Sequence, residues 1–162
     1  MFKAARAWLS GIPVCLAIAS IFGSAGVAAV SGSSIACSAA MGRIAIPEMI
    51  RYKYDPSLAT GTIAVAGTVG ALIPPSIIMI LYGVIAQTSI SQLFLGGIAA
   101  GLITIVGYVL VVYIRVKINP SLAPDIKEEV PFKEKVLALK DTWPIFLIMI
   151  GIFGGLFGGV FT

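Results

Sequence analysis

Two short polar segments interrupt long apolar stretches of this chain, and their oxygen atoms have the chemistry to bind a cation. The first is Ser31-Gly32-Ser33-Ser34, within an uncharged stretch that runs from residue 7 to residue 42. The second spans residues 67–76 and reads Gly-Thr-Val-Gly-Ala-Leu-Ile-Pro-Pro-Ser, within an uncharged stretch from residue 56 to residue 114. Hydroxyl oxygens, and carbonyls left unpaired at a helix end, are neutral ligands that suit a hard cation such as sodium.

Both segments contain residues that end or bend helices. Gly32 and Gly70 allow sharp turns, whereas Pro74 and Pro75 each lack an amide hydrogen and block the preceding helical turn. Lipid tolerates unpaired backbone groups only where protein or a water-filled cavity surrounds them, so two broken membrane helices indicate the substrate and ion site of a carrier. Taken singly, each segment also fits a structural role, as a polar helix–helix contact or as a proline kink.

The distribution of charge predicts an all-α integral membrane protein that crosses the bilayer more than once. Hydrophobic residues make up 59% of the chain and charged residues 11%, against about 25% in soluble domains. The 11 Lys and Arg residues fall into three clusters, at 3–6, 43–53 and 115–140, separated by stretches longer than the roughly 20 residues that cross a bilayer. The net charge of +4 therefore indicates positively charged cytoplasmic loops and not nucleic-acid binding.

Charge also selects between two topologies for the first apolar stretch, which is too long for one span and too short for two. It forms either one tilted span or a re-entrant hairpin that enters and leaves on the same side. The hairpin places all 11 basic residues in one compartment, so the positive-inside rule favours it. We therefore predict five segments. The first (1–55) is a re-entrant hairpin with its tip at 31–34, followed by a cytoplasmic loop at 43–55. A transmembrane helix broken near 67–76 (56–90) and an unbroken transmembrane helix (91–118) come next. The last two are a cytoplasmic loop with a surface amphipathic helix at 132–140 (119–142) and the start of a further transmembrane helix (143–162).

Three local features complete the structural prediction. Asp55 followed by Pro56 is typical of a helix cap with proline at the first helical position. Cys15 and Cys37 lie in apolar stretches, so we expect small packing residues and not a disulfide or a metal pair. The basic cluster at 3–6 before an apolar stretch resembles a signal peptide, but no clear cleavage site precedes Ser31, which favours a retained segment.

The residue types that are absent narrow the function. The apolar stretches contain no Asp, Glu, Lys, Arg or His, whereas proton-coupled carriers usually hold an ionisable residue in the membrane, so sodium coupling fits better. A serine nucleophile needs a nearby base, and the chain has no His and no Lys within the apolar stretches. The sequence therefore predicts neither an enzyme nor a cofactor. A structural membrane subunit without its own transport site remains the alternative.

A series of longer motifs follows in a fixed order along the chain. The motifs are Ser31-Gly-Ser-Ser-Ile-Ala36, Met41-Gly-Arg-Ile-Ala-Ile-Pro-Glu48, Tyr54-Asp-Pro56, Ala59-Thr-Gly-Thr62, the run 67–76, Tyr82-Gly83 and Leu93-Phe-Leu-Gly-Gly97. From about Ala5 onward, their order and spacing resemble the large membrane (permease) subunit of the TRAP (tripartite ATP-independent periplasmic) transporters. The resemblance implies sodium-coupled import of small carboxylates, such as C4-dicarboxylates or sialic acids, across the inner (cytoplasmic) membrane of a bacterium or archaeon. It also implies an elevator-type carrier with inverted repeats.

The resemblance further implies partners and site residues. The partners are a periplasmic binding protein that delivers the solute and a small membrane subunit, alongside membrane lipid. One sodium ion would lie between the two interrupted segments, with the solute carboxylate close by at Ser33, Ser34 and Ser76. The implied sodium-binding residues are Ser31, Gly32, Ser33, Ser34, Gly67, Thr68, Gly70, Ile73 and Pro75.

The chain departs from the family pattern in length, because the family subunit continues into a second hairpin and a second broken helix. We therefore expect one half of an inverted-repeat carrier, the core of the first repeat, and no transport by this chain alone. A fragment of another sodium-coupled anion carrier family is a further alternative.

Overall fold

The computed structural model of the chain describes residues 14–124 and a few single positions between 143 and 158. The described part is helical and contains no strand, which confirms the all-α prediction. Its helices are α1 (Cys15–Ser31), α2 (Ser34–Arg51), α3 (Pro56–Gly67), α4 (Ile77–Ile85) and α5 (Ile90–Ile118), with 3₁₀ turns at Thr68–Ala71 and Pro120–Leu122.

Helices α1 and α2 form an antiparallel hairpin around a two-residue turn. Helix α1 ends at Ser31, and the following Gly32 adopts the left-handed conformation (φ 60°) and donates its N–H to Ala28 O at 2.8 Å. Ser33 follows as the N-cap of α2. Two buried contacts join the arms of the hairpin: Cys37 Sγ donates to Ser24 O at 3.1 Å, and Ser20 Oγ lies 3.8 Å from Met49 Sδ.

Helix α2 continues further than the sequence predicted. The charge distribution predicts a cytoplasmic loop from residue 43 to 55, but the helix runs through Pro47 to Arg51 and leaves only residues 52–55 as loop. The reason is an uninterrupted buried stripe at four-residue spacing, formed by Met41, Ala45 and Met49, which continues past the first charge of the cluster. The charged residues occupy the other faces of the same helix, so the cluster does not mark its end.

Helix α3 begins as predicted. Asp55 Oδ1 accepts hydrogen bonds from the N–H groups of Ser57 (2.9 Å) and Leu58 (3.2 Å), with Pro56 at the first helical position, which confirms the cap. The α-helix ends at Gly67 and passes into the 3₁₀ turn, and the following residues 72–76 are not helical. The Pro74–Pro75 peptide bond in this segment is cis.

Helix α5 is the one helix among the described residues that is long and apolar enough to cross a membrane, with 29 residues and a mean hydropathy of 2.3 over its most apolar 18-residue window. At about 1.5 Å per residue it is roughly 43 Å long. Only 22% of its most apolar window is buried. The buried residues form a single stripe with spacings of three, four and seven residues: Phe94, Gly97, Gly101, Ile105, Val112 and Val116.

The shared core lies where α1, α3 and α5 meet near the 52–55 loop. It includes Leu16, Met49, Leu58 and the loop residue Tyr54, which is 3% exposed. Burial raises the pKa of the Tyr54 phenol to about 12.

The remaining local predictions concern the two cysteines and the segments near the two ends of the chain. Cys15 and Cys37 are separate buried thiols, as predicted. The predicted amphipathic helix at 132–140, the N-terminal basic cluster at 3–6 and most of 143–162 lie outside the described residues.

Candidate ion site between two interrupted helices

The two interruptions are in direct contact. We call residues 31–34 the tip and residues 67–76 the break. The N–H of Ile77, which begins α4, donates to Gly32 O at 3.2 Å. A Cβ atom built on Gly32 would lie 2.5 Å from Pro75 O, a separation that real Cβ atoms essentially never show. Tip and break therefore approach each other at backbone distance, and a side chain at position 32 would separate them.

Two further glycines bring the break against the hairpin. A Cβ on Gly70 would lie 3.1 Å from both Ser33 O and Ser34 N, and a Cβ on Gly67 would overlap the Ser38 hydroxyl. Residues three apart in a 3₁₀ turn lie on the same face, so Gly67 and Gly70 together present a surface without side chains to the hairpin.

The tip contains one buried side-chain oxygen without a hydrogen-bond partner. Ser31 Oγ is shielded from solvent and makes no hydrogen bond. A buried hydroxyl without a partner costs about 1–3 kcal/mol, so a ligand at this position would relieve a real penalty. This oxygen is the strongest single sign that the tip can accept a cation.

The other oxygens of the tip and the break differ in the hydrogen bonds that they already make within the protein. Ser33 Oγ accepts from Ala36 N at 3.4 Å as the α2 cap. The buried Ser76 hydroxyl donates to Ala71 O at 2.8 Å, which leaves its lone pairs available. Pro75 O points at Gly32. These oxygens are neutral, and the described residues contain no group of three His, Cys, Asp or Glu that could hold a metal ion.

Four helix ends meet at this contact. Helices α1 and α3 end here, at Ser31 and Gly67, and their last carbonyls carry partial negative charge. Helices α2 and α4 begin here, at Ser34 and Ile77, and their first amides carry partial positive charge. The arrangement therefore offers carbonyls to a cation and amides to an anion within one small region.

Two of the predicted sodium ligands make their main contacts elsewhere. The Thr68 hydroxyl donates to Val65 O at 2.7 Å and lies 2.8 Å from the hydroxyl of Tyr108 on α5. The Ile73 side chain packs on α5, 3.0 Å from where a Cβ on Gly101 would lie. The structure groups six of the remaining predicted residues at the contact: Gly32, Ser33, Ser34, Gly67, Gly70 and Pro75. Ser31 directly precedes Gly32 in the chain.

The whole chain, residues 1–162, matches the protein family described as "Tripartite ATP-independent periplasmic transporter, DctM component". The chain belongs to this family. It is therefore a TRAP permease sequence and not a fragment of an unrelated anion carrier.

Curated TRAP permeases share much of the sequence. The chain is 40% identical over 150 residues to the C4-dicarboxylate TRAP transporter large permease protein of Vibrio cholerae, covering 91% of this chain and 32% of the relative. It is 37% identical to the ectoine/5-hydroxyectoine TRAP large permease protein of Ruegeria pomeroyi (83% and 31% covered) and 31% identical to the sialic acid TRAP large permease protein of Vibrio cholerae (100% and 37% covered). The chain thus spans about a third of the length of these relatives, all of which are permeases and not enzymes.

Sequence reasoning missed two residues that shape the TRAP permease contact. Ser38 lies one helical turn after Ser34, the last residue of the tip, and this spacing marks it as a neighbour of the break. Tyr108 lies seven residues after Gly101 on the same face of α5, so the register of the buried stripe could have identified it.

Proposed function

We propose that this chain forms part of a sodium-coupled secondary importer of a small organic acid. The observation that carries the proposal is the buried Ser31 oxygen without a hydrogen-bond partner, one residue before the Gly32 that meets the break. The family membership supports secondary transport by the TRAP type of permease.

The proposed sodium ion binds between the tip and the break. Its candidate ligands are hydroxyl and carbonyl oxygens of the residues Ser31, Gly32, Ser33, Ser34, Gly67, Gly70 and Pro75. Thr68 and Ile73 support the site indirectly, because their side chains hold the break against α5. The sodium charge and the amide ends of α2 and α4 together attract the solute carboxylate, for which Ser33, Ser34 and Ser76 are the candidate contacts. Bound sodium thus raises the affinity for the anion, which is the basis of coupling.

The proposed topology is a re-entrant hairpin, a broken transmembrane helix and a full span, as one half of an elevator-type carrier with inverted repeats. The reversal at Gly32 and the interruption after Gly67 support the first two elements. The length of α5 supports the third. The proposed compartment is the cytoplasmic membrane of a bacterium or archaeon, with the basic clusters facing the cytoplasm.

The proposed partners follow from the family name, which describes a system of three components. They are a periplasmic binding protein that delivers the solute, a small membrane subunit, and the surrounding lipid. The relatives act on different solutes by name: C4-dicarboxylate, ectoine/5-hydroxyectoine and sialic acid. We therefore propose a C4-dicarboxylate or another small carboxylate as the solute class.

The sharpest test is Ser31→Ala in the permease reconstituted with its partner proteins. The substitution removes an oxygen that bonds to nothing in the protein, so the fold loses no hydrogen bond. A sodium ligand would nevertheless be lost, and we expect the sodium concentration for half-maximal uptake to rise about tenfold or more. A tenfold change corresponds to about 1.4 kcal/mol of lost binding.

Ser24→Ala is the matched control. Ser24 Oγ is also buried without a partner, but it lies two helical turns before Ser31 on the same helix. We expect unchanged sodium dependence for this control and reduced or lost uptake for Ser33→Ala and Gly70→Val. An unchanged sodium requirement in Ser31→Ala would reject the assigned site. Loss of assembly in all these variants would instead favour a structural subunit.

A further inference from the structure

The break rests on one face of α5. A Cβ on Gly97 would lie 2.7 Å from Leu72 O, and a Cβ on Gly101 would lie 3.0 Å from Ile73 Cγ1. Further along the same helix, Tyr108 reaches Thr68, the first residue of the 3₁₀ turn. Helix α5 therefore contacts the start of the break through Tyr108, and it contacts the later residues of the break through Gly97 and Gly101.

The direction of the Thr68–Tyr108 hydrogen bond follows from the number of hydrogens. A threonine hydroxyl has one hydrogen, and Thr68 uses it at 2.7 Å on Val65 O. Tyr108 must therefore donate to Thr68 Oγ1 across their 2.8 Å separation. Two of the three bonding positions of the Thr68 hydroxyl are occupied within the protein.

This hydrogen bond lies at the edge of a loosely packed interface. Beyond it, a cleft of about 150 Å³ separates α3 from α5, between Thr62 and Val65 on one side and Val111 and Val112 on the other. Within residues 14–124, the Thr68–Tyr108 pair is the hydrogen bond that joins the break to α5. Without it, van der Waals contacts at the two glycines would be left to set the rotation of the 3₁₀ turn.

We propose that Tyr108 is a positioning residue for the ion site: its hydroxyl holds Thr68 toward α5 and so keeps Gly67 and Gly70 turned toward the tip. The geometry of the turn supports this, because Thr68 lies about 120° around a 3₁₀ helix from the face shared by Gly67 and Gly70. This inference rests on the proposed sodium function. It assigns Thr68 an indirect role, in contrast to a direct ligand role for its hydroxyl.

A double-substitution cycle in the reconstituted permease tests the assignment. Tyr108→Phe and Thr68→Val each remove one half of the hydrogen bond and keep the side-chain shape. We expect each to raise the half-saturating sodium concentration roughly three- to tenfold, the range of one hydrogen bond, and the double variant to be no worse than either single variant. Thr68→Ser retains the hydroxyl and should restore sodium dependence. Tyr113→Phe, on an exposed tyrosine of the same helix, is the matched control and should behave as wild type.

Three results would overturn the proposal. Wild-type sodium dependence in Tyr108→Phe with an impaired Thr68→Val would make Thr68 a direct ligand. Additive effects in the double variant would make the two residues independent. Reduced assembly with unchanged sodium dependence would make the hydrogen bond merely structural. The sodium dependence of Ser31→Ala tests the sodium site separately. The proposed sodium site and the proposed role of Tyr108 can therefore fail independently.

Discussion

Replacing Gly32 by alanine tests the contact between the tip and the break most severely. Gly32 has φ 60°, a left-handed conformation that glycine adopts freely and other residues adopt at a cost. The added Cβ would also lie 2.5 Å from the backbone oxygen of Pro75, and neither partner is the flexible end of a side chain. Alanine must therefore either distort the tip or displace the break.

The free-energy cost of Gly32→Ala has two contributions, one from the backbone conformation and one from the added Cβ. The left-handed conformation costs a residue with a Cβ about 1–2 kcal/mol. Overpacking against a fixed neighbour adds about 1–3 kcal/mol. Even the lower total, about 2 kcal/mol, would lower the affinity of a site formed by this contact roughly 30-fold.

The assay is sodium-dependent uptake in proteoliposomes, with sodium varied at constant ionic strength. We expect Gly32→Ala to require at least about 30-fold more sodium, or to lose uptake. Gly32→Asn separates the two terms, because asparagine tolerates the left-handed conformation but keeps the Cβ, so it should remain impaired. Gly107→Ala is the control, since a Cβ there meets no atom within 4 Å. A wild-type sodium requirement in Gly32→Ala would show that the contact between tip and break does not form the sodium site.

Two other predictions concern topology and pH. Single cysteines in place of Lys3, Lys53 and Lys135 should all react with a membrane-impermeant thiol reagent from the cytoplasmic side; reaction of the first from outside would exclude the re-entrant hairpin. Burial raises the pKa of Tyr54 to about 12, above the ordinary value of about 10, so the unfolded state loses this proton first as the pH rises. Thermal stability should therefore fall as the pH increases from about 10 toward 12, and Tyr54→Phe should lessen that fall; an equal alkaline loss in both proteins would contradict the assignment.

The positions of the interruptions could be predicted because their causes are local. Gly32 permits the reversal, and Pro74 and Pro75 prevent a continuous helix, whatever surrounds them. The cap at Asp55 is local in the same way. Each of these features depends only on a few consecutive residues.

The extent of α2 could not be predicted from charge alone. The basic cluster that begins at Arg43 predicts a loop, because charges usually mark the end of a membrane span. Helix formation instead follows the buried stripe of Met41, Ala45 and Met49, which depends on packing against α1 and α3. The charges predict where the chain leaves the membrane, whereas the end of α2 is set by the end of its buried stripe.

The orientation of Thr68 depends on a residue forty positions away in the sequence. From the local sequence, a hydroxyl next to a helix break is a candidate ion ligand, and nothing nearby in the sequence shows that Tyr108 bonds to it. Likewise, the face of the 3₁₀ turn that meets the hairpin follows from the contacts of Gly67 and Gly70 with Ser38 and Ser34. Such long-range pairings are fixed by tertiary structure and leave little trace in local sequence.

The proposed function depends on sodium binding between the tip and the break. The most direct measurement is a high-resolution density map of the permease in sodium and, separately, in choline. We expect a sodium-dependent density feature enclosed by Ser31, Gly70 and Pro75, with both segments interrupted. Continuous helices through residues 31–34 and 67–76, or identical density in both salts, would contradict it.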